Sequence, residues 1–204
     1  MLPLATLASN INRIMAVAGP SDIRNGVAWY PNARAIVDEW AALFHYDVHT
    51  VAAVIAALSP QLEWRRNLVI AADILAGHAP SIGTPVALPR NVGIAEAIRD
   101  TRATSLDAYF KQGHKVKAFA ANLAGDLTRV TVDTHGAQIA AGSPLANLRV
   151  DTLEPYTRVA RAYATVAGRY GLAPATLQAI TWLTWKRLYP RDTKRIARST
   201  KLQW

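Results

Sequence analysis

A chain of 204 residues that is 51% hydrophobic is long enough for one core and does not demand a second. Its 23 Lys and Arg against 14 Asp and Glu leave a net charge of +9, which favours a polyanionic partner, DNA first, over an acidic small substrate. With no cysteine, disulfides, thiolate nucleophiles, Cys-ligated zinc and iron–sulfur clusters are all excluded.

Leu4, Leu7, Ile11, Ile14, Met15 and Ala18 recur at three- and four-residue steps and predict a first helix, stopped by Gly19-Pro20-Ser21. Ser9, Asn10, Asn12 and Arg13 interrupt its apolar run, so it does not read as a signal peptide. No run reaches a bilayer-spanning length, and the expectation is an intracellular protein without a membrane partner. The turn-like Trp29-Tyr30-Pro31-Asn32 predicts that a second helix begins at Asn32 and runs to Phe44. Asp47 is placed to cap a third, Val48 to Leu58, apolar on nearly every side and so a buried central helix. Further helices are predicted at Glu63 to Ala76, Val92 to Arg99, Ser105 to Lys111, Lys115 to Asp126, Thr134 to Ala141, Glu154 to Tyr170 and Ala175 to Tyr189. Pro80, Pro85 and Pro89 mark an extended loop. No strand alternation is sustained, so the expected fold is an all-α, compact multi-helix bundle: one helical domain over 1–190, then a basic tail or short helix over 191–204.

Gln112-Gly113-His114 joins two of these helices in the outline of a helix–hairpin–helix. Its second helix would turn free backbone N–H groups and the positive end of its dipole toward a phosphate. Lys115 lies in that first turn, beside Lys117, where dipole and neighbour favour a neutral, nucleophilic amine. Asp133 follows Lys115 by 18 residues at the next helix start. A carboxylate brought near an amine would suit N-glycosidic bond cleavage, by steadying positive charge on a deoxyribose or by deprotonating the attacking group.

Gly113-His-Lys115 followed by Val132-Asp133-Thr-His135 resembles the catalytic hairpin and Val-Asp-Thr-His segment of the endonuclease III type of helix-hairpin-helix DNA glycosylase. Ala57-Leu-Ser59-Pro-Gln61 resembles that family's Leu-Ser-x-Gln loop, and Leu177 to Trp185 stands where the family has its last bundle helix. The likeness spans roughly residues 48 to 188. It extends to small uncharacterised phage proteins with the same Leu-Ser-Pro-Gln and Val-Asp-x-His segments. The resemblance implies an endonuclease III-like fold and a DNA glycosylase, with or without lyase activity, that flips a base. Lys115 and Asp133 would be catalytic. Ser59, Gln61, Gly113, His114, Lys117, His135, Lys186 and Arg187 would contact DNA, with Gln61 filling the gap, and Trp64 and Asn67 would line a base pocket. Where the family hairpin reads Leu-Pro-Gly-Val-Gly, this chain has Phe110-Lys-Gln-Gly113, with one glycine only.

Each of these residues has a plainer reading. Asp133 would serve as a helix cap, Lys115 and Lys117 as solvated lysines, and Ser59-Pro60-Gln61 as a helix-ending turn. His114 and His135 suit hairpin and helix-start hydrogen bonds better than metal ligation, and no metal or cofactor is expected. Lys117 competes with Lys115 as the nucleophile. A phage enzyme that modifies a base on the same scaffold, and a non-catalytic binder of DNA or a host protein, stand as alternatives. The base recognised and the oligomeric state are open.

Overall fold

The computed structural model describes residues 2–60, 62–82 and 89–190. Among them every regular element is a helix: α1 (Leu4–Ala16), α2 (Pro20–Phe44), α3 (Val48–Leu58), α4 (Trp64–Leu75), α5 (Pro89–Thr101), α6 (His114–Leu123), α7 (Thr134–Ala141), α8 (Leu153–Arg169) and α9 (Pro174–Leu188). None of these is long and apolar enough to cross a membrane alone. The fold divides into an inner unit, residues 31–126, and a terminal unit built from the described parts of 1–30 and 127–204. The basic segment 191–204 lies outside the described residues.

In the terminal unit, α1 buries Leu7, Ala8, Ile11, Ile14 and Met15, the face its periodicity predicts, and packs on α7, α8 and α9. Tyr163, Val166, Ile139, Leu177, Ile180 and Trp185 complete the core. Asn10 donates its side-chain amide to the Ala140 carbonyl and Arg13 donates to that of Gly142, so α1 supplies the partners that the end of α7 lacks. Gly142 ends α7 with φ of 81°, and a Cβ there would stand 2.8 Å from the Asn10 amide. Gly26 lets α2 and α9 touch, since a Cβ at that position would lie 2.5 Å from the Ile180 side chain.

Helix α2 departs from expectation. Rather than starting at Asn32 after a turn, it starts at Pro20 and continues through Pro31. Proline at a helix start forfeits no hydrogen bond, and Asp22 accepts the Gly19 N–H at 2.9 Å to close the entry. Pro31 does forfeit one bond, but Tyr30, Ala33 and Val37 around it are buried, and packing offsets the loss.

In the inner unit α3 is the centre. Asp47 caps it, accepting from the His49 N–H at 2.7 Å, and Thr50 through Leu58 are all buried by α4, α5 and α6. Two of its last carbonyls are served by side chains, Asn67 donating to Ile55 at 3.0 Å and Asn91 to Ala57 at 2.6 Å, and a third, Ala56, accepts the Ser59 N–H.

A second departure lies in the same unit. The helix expected over Ser105 to Lys111 is a chain of turns. Arg102 takes φ of 51° just after α5, and the Ser105 hydroxyl accepts the Asp107 N–H. The Tyr109 hydroxyl lies 2.8 Å from that of Thr101 and ties the turns back to α5. Local side-chain bonds of this kind hold the backbone out of the helical ladder. The element before Gln112-Gly113-His114 is therefore a turn segment, and α5 is the helix preceding it.

Candidate functional site

Gly113 occupies the N-cap of α6 and supplies no side chain to its first turn. The reason for glycine is steric: a Cβ would lie 2.6 Å from that of Phe110. The Lys117 N–H reaches the Gly113 carbonyl at 2.9 Å and starts the helical ladder, and the His114 N–H turns back to the Gln112 carbonyl. Gly113 thus offers the first turn of α6 no side-chain acceptor, and the His114 N–H is already returned to the Gln112 carbonyl.

The two lysines of this turn differ. Lys117 holds Asp107 at 2.6 Å, and that ion pair, with the Ser105 hydroxyl, keeps the Asp107 carboxyl below its ordinary range. Lys115 is half-buried and makes no ion pair among the described residues. Four residues on, Phe119 meets the edge of Trp64 at 6.3 Å between ring centres, which sets the start of α4 beside the middle of α6.

Asp133 belongs to the terminal unit. It N-caps α7, one oxygen accepting the Gly136 N–H at 2.7 Å and the other the indole N–H of Trp182 at 3.0 Å. Trp182 also receives the edge of the His135 ring at 6.3 Å, and the Lys186 ammonium lies 4.1 Å over its ring centre. Beneath this group Tyr163 donates to the Gly136 carbonyl and Tyr156 to that of Val130. Burial pushes both phenols above their ordinary range and keeps them as proton donors.

The remaining residues read from sequence are dispersed. Asn67 is 1% exposed and engaged in closing α3, so its amide faces the core. Ser59 is the C-cap of α3, its hydroxyl oxygen buried and without a hydrogen bond among the described residues. Gln61 lies outside the described residues. Arg187 grips Asp22 at 2.8 Å and donates to the Val17 carbonyl, so its guanidinium fastens the end of α9 to the α1–α2 junction.

A family model described as a family of unknown function, DUF7178, matches residues 2–188. The chain belongs to this family. A search of curated proteins found no match, and neither did a search of solved structures. The matched span takes in both helix starts and ends with α9, so the sites described above lie within the family's own sequence pattern.

Three residues of these sites escaped the sequence reading. Trp182 lies within the predicted last helix, and nothing local announces its bond to a carboxylate 49 residues away. Asp107 gave no sign of pairing with Lys117 because the turns between them were read as helix. Gln138 stands three positions after His135 on α7, and that spacing was the available clue to their contact.

Proposed function

We propose that this chain is a DNA-binding, glycosylase-like enzyme with Lys115 as its nucleophile. The carrying observation is the contrast within one helical turn: Lys117 is paired with Asp107, while Lys115 stands half-buried without an ion pair among the described residues, at a helix start whose cap is glycine. The net charge of +9 and the resemblance of the hairpin and Val-Asp-Thr-His segments to endonuclease III-type glycosylases support the same reading. In the reaction the amine nitrogen bonds to C1′ of the deoxyribose and loses a proton. The base leaves with the glycosidic electron pair and is protonated, and opening of the C1′–O4′ bond gives an imine. The resemblance assigns the acid–base role to Asp133.

Borohydride reduction tests the reading without knowledge of the base. On a duplex carrying an abasic site, the C1′ aldehyde condenses with the amine, and reduction leaves a stable protein–DNA adduct. The adduct is expected with the native chain and with Lys117→Ala, and is expected to be absent with Lys115→Ala. An adduct that survives in Lys115→Ala overturns the assignment.

A second reading, a DNA binder without turnover, draws on one observation: both Asp133 oxygens already accept N–H donors, the arrangement of a structural cap. Under it, binding survives Lys115→Ala combined with Asp133→Asn, and no duplex yields an adduct or a released base. A base-modifying enzyme would instead leave a new adduct on the base.

A further inference from the structure

The first turn of α7 holds two groups able to accept a proton, and their surroundings separate them. Asp133 receives an N–H at each of its oxygens. His135 is set differently, through Gln138. That residue is 3% exposed, and its Nε2 donates to the Pro144 carbonyl at 2.7 Å. Turning the amide over would place oxygen against oxygen, so Oε1 is the atom that lies 3.3 Å from His135 Nδ1. An amide oxygen only accepts, and the proton of the neutral imidazole therefore sits on Nδ1. Nε2 is left with a bare lone pair and has no hydrogen-bond partner among the described residues. The ring is half-buried and stands edge-on to Trp182.

We propose that Gln138 is a positioning residue that fixes this tautomer, and that His135 Nε2 is the acceptor by which the start of α7 takes a hydrogen-bond donor of a DNA substrate. The class of group is a hydroxyl or an amine of the DNA, met directly or through a bridging water. A phosphate oxygen would meet lone pair with lone pair. The identity of the substrate rests on the reading of the chain as one that acts on DNA, whereas the tautomer does not.

The test uses the full chain labelled with 15N at histidine and long-range 1H–15N correlation, with His135→Asn identifying the signals. The expected pattern for His135 is a pyrrole-like Nδ1 and a pyridine-like Nε2. Gln138→Leu, which removes the acceptor, moves proton population to Nε2, while Pro144→Ala, which leaves the carbonyl that orients Gln138 in place, retains the native pattern. A native protein with the proton on Nε2, or a pattern that ignores Gln138→Leu, overturns the proposal. Adding a duplex with an abasic site is expected to shift the Nε2 signal while it stays pyridine-like. No shift, or conversion to an imidazolium pattern, removes the acceptor role and, in the second case, assigns phosphate as the ligand. Failure of the borohydride adduct with native tautomer signals intact would instead fault the proposed function.

Discussion

The starts of α6 and α7 are built on opposite plans. At α6 the N-cap is glycine, which has no side chain to offer the first turn, and one of two lysines is without an ion pair among the described residues. At α7 the N-cap is an aspartate whose two oxygens are both engaged, one by the helix and one by an indole from α9. The first begins on backbone alone, the His114 N–H turning back to Gln112 and the Lys117 N–H reaching the Gly113 carbonyl. The second has its Gly136 donor met by the capping carboxylate itself, with His135 and Lys186 gathered around the indole that holds the other oxygen. A glycine cap and an aspartate cap therefore mean different things even where both begin a helix of similar composition.

The sharpest way to break this comparison is at the lysines. Lys115→Ala should lower the rate of borohydride trapping about 100-fold or more, whereas Lys117→Ala should change it less than about threefold. Equal losses would mean that the ion pair with Asp107 does not distinguish them. Next in size, Asp133→Ala should lower unfolding stability in urea by about 2 kcal/mol, because it removes a cap and leaves the half-buried Trp182 N–H without its acceptor. A loss within error would show that α7 does not depend on its cap. Trp182→Phe deletes the donor and trims the indole to a single ring while leaving the Asp133 cap on Gly136 in place, and about 1 kcal/mol is expected from the same measurement.

The smallest effect extends the comparison to a cation already engaged. Arg187 hydrogen-bonds Asp22 and holds its carboxyl below the ordinary range. A lowered carboxyl adds stability that is present above the unfolded value, about 3.9, and is lost as pH falls through the lower folded one. Acid titration of stability should therefore show a smaller loss below about pH 4 in Arg187→Ala than in the native chain.

These contrasts also mark what the sequence could convey. The span of α3 and its Asp47 cap were legible because an unbroken apolar run and an adjacent aspartate carry their meaning locally. α7 was equally legible, with its Asp133 cap. The run through Pro31 was not, because the burial that carries a helix across a proline is tertiary. Ser105 to Lys111 has helix-compatible residues, and it is the bonds of Ser105 to Asp107 and of Tyr109 to Thr101 that hold it in turns. At the candidate sites, sequence pointed to Lys115, Lys117, Asp133 and His135 but could not rank the lysines or say which histidine nitrogen is bare. Those answers reside in Asp107, Trp182 and Gln138, partners chosen by folding.

The way α3 ends has a consequence for how the inner unit would report on itself. With the Ile55 and Ala57 carbonyls tied to Asn67 and Asn91 and its residues shielded from Thr50 to Leu58, only the first turn of α3, at the exposed His49, meets solvent. The backbone amides from Val51 to Leu58 should exchange with deuterium only when the surrounding helices part, which makes this one segment a built-in clock for opening of the whole unit. Anything that clings to the folded form should slow that clock, wherever on the unit it settles.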